Sequence, residues 1–243
     1  MKCIILAAGY ATRLYPLTEN FPKPLLPVQG RSILDRLIDD IETSGLVDEY
    51  IVISNDKFAP HFIGWAKGKS KVVVLNDGTT SNETRLGAVR DMQFAVESLH
   101  LCSDALVIAG DNLLDFSLTR FIAYANAKKA SCVMRYFEAS EARLRKCGVL
   151  TIDESDRILR MREKPEHPES HWCCPPFYYY TKEDLLRIGE GIADGCGVDA
   201  PGSYVAWLSE RAPVYAMEMP GSRYDIGNLE SYEQVQKEYK GIC

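Results

Sequence analysis

Between Leu6 and Val28 the chain reads LAAGYATRLYPLTENFPKPLLPV, directly after the short apolar run MKCII. One glycine, Gly9, closes that run. Arg13 stands four residues later, and Lys23 ten residues after that, set between Pro22 and Pro24. A strand that ends in a small-residue turn leaves backbone N–H groups facing outward, where they can meet an anion. Arg13 and Lys23 add two positive charges to the same loop. The combination suits a ligand with several phosphates. A tight turn with solvated charges is the plainer reading of the same residues.

The charge distribution favours the first reading. The chain carries a formal net charge of -6 and has a pI near 5.4, so it does not attract anions in general. Residues 1–36 nevertheless hold five basic side chains (Lys2, Arg13, Lys23, Arg31, Arg36) against two acidic ones (Glu19, Asp35). An acidic protein with one basic loop fits a small anionic ligand better than a nucleic acid, which needs an extended basic face.

Three further places could carry chemistry. Asp111 follows Gly110 at the end of an apolar run, and Asp225 lies in Arg-Tyr-Asp-Ile-Gly. Each carboxylate could cap a helix. Two of them from distant segments could instead share a hard cation such as Mg²⁺, which takes oxygen ligands and keeps waters and substrate phosphates. Glu163-Lys164-Pro165 offers a carboxylate to accept from hydroxyls and an ammonium to reach a phosphate, or simply a solvated ion pair.

Other chemistries are absent from the sequence. Gly9 to Arg13 lacks the second and third glycines of a dinucleotide fingerprint, and no Lys-Ser/Thr follows as in a P-loop. The eight cysteines contain no C-x-x-C pair, and Cys173 and Cys174 are adjacent, so reduced thiols are expected. Pro168 lies between His167 and His171 and spoils the helical spacing of a zinc pair. No apolar run approaches the ~20 residues needed to span a membrane. No targeting segment is expected, and the chain is read as cytoplasmic.

These residues need elements to position them. Apolar strand-like runs are expected at Lys2–Leu6, Tyr50–Ser54, Lys71–Leu75, Ala105–Ala109 and Ser131–Phe137, alternating with helices at Ser32–Thr43, Phe58–Ala66, Glu83–Leu99 and Ser117–Lys129. That order implies an α/β fold with a doubly wound, mostly parallel sheet. In such sheets ligands sit beyond the carboxyl ends of the strands, so the Gly9 turn and Asp111 should face one crevice. The second half is β-rich. A hairpin is expected from Cys147–Ile152 and Arg157–Arg162, an aromatic strand at Phe177–Tyr180, a helix over Lys182–Ile192 opened by Thr181 and Asp184, a strand at Pro213–Met219 and a closing helix at Leu229–Tyr239. A single domain over 1–243 is expected, in two parts of about 1–137 and about 138–243.

Taken together, the long N-terminal signature and the three later landmarks in order resemble the sugar-1-phosphate nucleotidylyltransferases, among them glucose-1-phosphate thymidylyltransferase. The resemblance covers nearly the whole chain. It implies a Rossmann-like nucleotidyltransferase fold with a small β-rich sugar-binding region, the nucleotide held by about 1–137 and the acceptor by about 138–243. It implies nucleotide contacts at Leu6, Ala8, Gly9, Thr12, Arg13, Lys23, Thr80 and Gly110, and Mg²⁺ at Asp111 and Asp225. It implies acceptor contacts at Gly148, Glu163, Lys164 and Tyr178. Arg13, Lys23 and Asp111 would be catalytic. The reaction would be attack of a phosphate oxygen on the α-phosphorus of a nucleoside triphosphate, with release of pyrophosphate. The expected partners are a nucleoside triphosphate and a phosphorylated small molecule, not a nucleic acid or a membrane; a homo-oligomer stays open.

The chain departs from that pattern in places. Ala11 stands where the family usually has glycine. Pro175–Pro176 precede Phe177-Tyr178-Tyr179-Tyr180 in place of the usual Thr-Gly, which opens the acceptor to question. The segment Thr79–Gly87 differs from a Gln-rich base-reading segment, so thymine, uracil and cytosine all stay open. No extra C-terminal helices follow, so end-product control at a second site is not expected. A cytidylyltransferase of a non-sugar phosphate or phosphonate such as phosphocholine is the alternative enzyme. A catalytically inactive nucleotide-binding regulatory subunit is the alternative of another class.

Overall fold

The computed structural model describes residues 1–242. In chain order its main elements are β1 (Lys2–Leu6), α1 (Ile33–Glu42), β2 (Glu49–Ser54), α2 (Ala59–Ala66), β3 (Val72–Asn76), α3 (Ala88–Ser98), β4 (Ala105–Ala109), α4 (Thr119–Lys128), β5 (Ser131–Phe137), α5 (Glu141–Leu144), β6 (Gly148–Ile152), β7 (Ile158–Glu163), β8 (Trp172–Cys174), β9 (Phe177–Tyr180), α6 (Lys182–Leu185), α7 (Ile188–Ala193), α8 (Gly202–Ser209), β10 (Val214–Glu218) and α9 (Leu229–Glu238). The chain forms two compact units. One comprises Met1–Arg85, Ala109–Arg120 and Pro220–Cys243; the other comprises Leu86–Ile108 and Phe121–Met219. The backbone thus alternates between units, and no single cut near residue 137 separates them.

The first unit is the parallel α/β part. β1 pairs β2 in parallel from Lys2↔Glu49 to Leu6↔Ile53, and β2 pairs β3 in parallel from Tyr50↔Val72 to Ser54↔Asn76. Cys3, Ile4, Ile5 and Tyr50 to Ile53 are completely buried. This is why β1 and β2 read as continuous apolar runs and not as alternating ones. α1 buries Ile33, Leu34, Leu37 and Ile41, the face its spacing predicts. The Ser32 hydroxyl accepts the Asp35 N–H at 3.0 Å, a cap worth about 1 kcal/mol.

The second unit is the β-rich part, and its pairing is largely antiparallel. Its strands run in the order β7-β6-β8-β5-β9-β4, with β10 added in parallel to β5. The expected hairpin is β6 and β7, paired from Ile158↔Ile152 to Glu163↔Gly148. β5 and β9 fall on their expected residues.

α5 and β8 were not expected, and three further differences have identifiable reasons. α3 begins at Ala88 and not at Glu83, because Gly87 has φ 92 and ψ 151, a conformation outside any helix. The helix expected over Lys182–Ile192 is two short ones, α6 and α7. Thr181 caps the first, and Gly189 and Gly191 weaken continuation through the second. α8 was not expected. Its sequence, GSYVAWLS, buries Tyr204, Val205, Trp207 and Leu208 and so shows no amphipathic stripe.

Candidate active site

In the first unit, the residues after β1 curl into a tight loop. Ala11 adopts the left-handed conformation, φ 46 and ψ 42, and the buried Thr18 hydroxyl donates to its carbonyl at 2.8 Å. Asn55, completely buried after β2, donates from Nδ2 to the Ala8 carbonyl at 2.9 Å and accepts the Phe58 N–H at 3.0 Å. The Tyr10 hydroxyl donates to the Thr79 carbonyl at 3.1 Å. The loop is therefore fixed from three sides. An alanine in the left-handed region costs about 1–2 kcal/mol relative to the right-handed one, while glycine gives back part of that gain as extra chain entropy. Ala11→Gly is expected to raise stability by about 0.5–1 kcal/mol, read from the urea midpoint. A lower midpoint would contradict this account of the loop.

Lys23 opens a short 3₁₀ turn, Lys23–Leu25, after Pro22. The turn buries the lysine stem, and Nζ donates to Asp111 Oδ2 at 2.7 Å. Asp111 is placed by β4. The Gly110 N–H donates to the Leu6 carbonyl at 2.9 Å, and a side chain at Gly110 would run into Ile5 at 2.9 Å, so glycine lets the two backbones close up. Burial pushes the Asp111 carboxyl up. The Lys23 ammonium and, behind it, Arg223 outweigh burial and hold it below the usual carboxylate range.

Asp225 reaches the same region through a two-stranded ladder. Arg223 pairs with Leu114 and Tyr224 with Leu113, antiparallel. Asn112 locks this ladder: its Nδ2 donates to the Ala109 carbonyl at 3.0 Å, and its Oδ1 accepts from Arg223 Nη1 at 3.0 Å. Beside Gly227, Arg13 Nη1 and Asp225 Oδ2 both lie within 4 Å of the point a methyl group there would occupy, at 3.8 and 3.9 Å. Neither Arg13 nor Asp225 has a hydrogen bond or ion pair among the described residues.

A cavity of about 240 Å³ gathers these parts. Leu6, Ala7, Gly9, Ala11, Arg13, Leu14, Lys23, Pro24, Ala109, Asp111, Ile226 and Gly227 line it. The Gly9 turn and Asp111 thus do face one crevice. Of the five basic residues near the N-terminus, only Arg13 and Lys23 point there. Lys2 pairs with Glu49 at 3.7 Å, Arg31 pairs with Asp39, and Arg36 donates to the Val28 carbonyl at 2.7 Å. Of the expected nucleotide and metal residues, Ala8, Thr12, Thr80, Gly110 and Asp225 are not among the lining residues, though Gly110 precedes Asp111 and Asp225 precedes Ile226 in the chain. Ala8 and Thr80 adjoin the Asn55 and Tyr10 hydrogen bonds that shape the loop, and Thr12 is exposed beside Arg13. Asn55, Tyr10 and Asn112 were missed in the sequence; strand-end position was the only signal that marked Asn55 and Asn112.

The second unit holds the acceptor candidates. Glu163 ends β7 opposite Gly148, and Met161 and Glu163 share a strand face. A cavity of about 630 Å³ is lined by residues that include Glu163, Pro165, Glu166, Ser203, Trp207 and Glu210. The half-buried Glu163 carboxylate has no hydrogen bond or ion pair among the described residues. Burial pushes its carboxyl above the usual range, against the pull of the Lys164 charge. Lys164 is exposed, with φ 46, and its N–H donates to the Cys147 carbonyl at 2.9 Å. Tyr178 lies elsewhere. It is buried in β9, stacked on Tyr180 with centroids 6.0 Å apart, and lines no part of this cavity. Neither Pro175 nor Pro176 lines it.

Among the described residues, all seven cysteines are thiols. No group of three or more His, Cys, Asp or Glu forms a metal cluster, and no helix is long and apolar enough to cross a membrane.

Known proteins share the sequence pattern and the fold. Residues 2–241 match the profile of the Nucleotidyl transferase family. The bifunctional protein GlmU of Methanocaldococcus jannaschii is 30% identical over 228 residues, which is 93% of this chain and 51% of the relative. The glucose-1-phosphate adenylyltransferase of Fervidobacterium nodosum is 24% identical over 256 residues, 97% of this chain and 60% of the relative. The chain spans about half the length of the first of these. A solved UDP-glucose pyrophosphorylase complexed with UDP-glucose superposes with a TM-score of 0.80 at 20% identity, covering 98% of this chain and 97% of the other. With a family match along almost its entire length, the chain belongs to the Nucleotidyl transferase family.

Proposed function

We propose that the protein transfers a nucleotidyl group from a nucleoside triphosphate to a phosphorylated acceptor, with a sugar 1-phosphate as the leading acceptor class and pyrophosphate as the second product. One observation carries the reading: Arg13, Lys23 and Asp111 line a single cavity at the Gly9 turn, Asp225 lies beside the Gly227 that also lines it, and Arg13 and Asp225 have no hydrogen bond or ion pair among the described residues. Charges left without an internal partner at a cleft are available to a charged ligand.

Both reactants are anions, so catalysis consists mainly of neutralising charge and aligning groups. An acceptor phosphate oxygen forms a bond to the α-phosphorus as the bond from that phosphorus to the β-phosphate bridging oxygen breaks. The electron pair leaves with pyrophosphate. Arg13 presents a planar fork of donors to the phosphates. Lys23 adds a compact charge whose position Asp111 fixes. The acceptor phosphate already carries its nucleophilic oxygen as an anion, so no general base is needed.

Asp111 and Asp225 suit a hard divalent cation. Both offer carboxylate oxygens, Asp111 stays ionised, and waters and phosphate oxygens complete the set for Mg²⁺. When bound there, Mg²⁺ would supply further neutralisation of phosphate charge. Glu163 and Lys164, with Gly148 opposite, remain the residues to hold the acceptor. The reading places the enzyme in the cytoplasm, where nucleoside triphosphates are supplied.

The acceptor cavity favours a second possibility for the substrate. Glu163, Glu166 and Glu210 line it, while Arg162 is tied to Glu169 at 3.4 Å. An acceptor bearing a cationic group, such as phosphocholine, therefore belongs in the test. Pyrophosphate release is to be measured with Mg²⁺, crossing dTTP, UTP, CTP, ATP and GTP against sugar 1-phosphates and phosphocholine. One productive pair, abolished by EDTA, is expected. Nucleotide binding without release across the panel would favour a regulatory subunit. Loss of binding as well would overturn the reading.

A further inference from the structure

We infer that Gly202, at the start of α8, is a positioning residue for the Glu163 carboxylate and thereby sets how the acceptor is held. The inference rests on the acceptor role proposed for Glu163. A side chain built at Gly202 would overlap Glu163 Oε1 and Met161 Cε, and would come within 3.1 Å of Glu163 Cδ. From the other side, a side chain at Gly148 would come within 2.9 Å of the same Oε1 and 2.5 Å of Met161 Cε. The carboxylate therefore occupies a slot between two α-carbons that carry no side chain. One belongs to the neighbouring strand and one to the first turn of a helix.

The slot fixes one torsional choice for Glu163. Met161 and Glu163 are two residues apart on β7 and project to the same face, so both press toward the same two glycines. With no hydrogen bond to hold the carboxylate, packing alone orients it. The adjoining cavity, lined by Glu163 itself, Ser203 and Trp207, is where an acceptor hydroxyl or amine would meet the oxygen that faces it.

This arrangement makes Gly202 a selective probe. Its φ is not in the left-handed region, so alanine is tolerated by the backbone. The atoms in the way are the outer ends of two flexible side chains, not backbone. A single methyl group should thus cost the fold little and displace the carboxylate. Displacing one binding group by about an ångström costs up to two orders of magnitude in a positioned reaction.

The test is a double-mutant cycle on the full-length protein, using the productive nucleotide and acceptor pair. Gly202→Ala should raise the acceptor KM about tenfold or more with the nucleotide KM unchanged. Glu163→Gln should raise the acceptor KM as well, and adding Gly202→Ala to it should produce no further rise, because the group being positioned is already lost. In Gly202→Ala, shortening the carboxylate by Glu163→Asp should restore part of the acceptor affinity. Equal rises in both KM values, or additive effects in the double variant, would overturn the inference. So would a normal acceptor KM in Gly202→Ala while Glu163→Gln is impaired. A normal acceptor KM in Glu163→Gln would overturn the acceptor reading itself. If Gly202→Ala does not fold, Gly202→Ala with Glu163→Ala must recover Tm; failure of both to fold would also defeat the inference.

Discussion

Replacing Arg13 with alanine is expected to lower turnover by about 10²–10³-fold, roughly 3–4 kcal/mol at the transition state, with no change in Tm. The two halves of this expectation have separate origins. Arg13 is exposed and has no hydrogen bond or ion pair among the described residues, so the fold does not depend on its charge. It nevertheless lines the crevice with Lys23 and Asp111, and it is the positive group there without an internal counterion. A charge kept unpaired beside a cavity acts only on what enters. Steady-state pyrophosphate release and thermal unfolding on the same preparation separate the effects. Arg13→Lys should recover only part of the loss, since an ammonium keeps the charge but not the two-pronged geometry. Near-normal turnover in Arg13→Ala would sink the catalytic assignment.

Gly87→Ala is expected to destabilise the fold by about 3 kcal/mol or more, far beyond the effect of Ala11→Gly or Gly202→Ala. Gly87 has φ 92, and a methyl group on it would stand 2.5 Å from the Val198 carbonyl oxygen and 2.9 Å from its carbon. These are backbone atoms and cannot swing aside. The same approach supports two hydrogen bonds, from Ala88 N–H to the Asp199 carbonyl at 3.2 Å and from Val89 N–H to the Val198 carbonyl at 2.9 Å. They satisfy amides at the start of α3 that have no partner within the helix. Alanine therefore brings torsional strain, overlap and two weakened bonds together. Thermal unfolding should show Tm lowered by about 6 °C or more. A shift within about 2 °C would mean that the segment near Val198 is easily displaced.

The contrast between Gly87 and Gly202 shows what the sequence conveys and what it withholds. Gly87 falls within the helix expected over Glu83–Leu99 and Gly202 in a stretch where no element was expected, and neither position records in sequence which atoms stand opposite it. Only the identity of the atoms opposite, backbone in one case and side-chain ends in the other, separates a stability role from a positioning role. By contrast, β1, β2, β5, β9 and α1 could be read directly, because burial on two faces or on one helical stripe leaves a periodic mark. Arg13, Lys23 and Asp111 were also legible, since charge at a strand end is locally visible. Asn55 and Asn112 were not. Each ties a strand end to a sequence-distant segment, Asn55 by donating to the Ala8 carbonyl and Asn112 by accepting from Arg223, and its own surroundings in sequence record nothing of that partner. Tyr178 stands apart from the cavity for a related reason: its aromatic run marks a strand, and the strand buries it.

The Lys23–Asp111 contact has a consequence for how ligands arrive. With Arg13 in the crevice and Asp225 beside its Gly227 wall, two positive and two negative side chains stand there, within a chain of formal net charge -6. Beyond a Debye length, about 8 Å at physiological ionic strength, those four charges largely cancel. The crevice therefore exerts no long-range pull on an anion, and the rate of encounter is set by ordinary diffusion, with only a shallow response to added salt. Recognition begins only at contact, where Arg13 is the one cation among the described crevice residues not already neutralised by a neighbour.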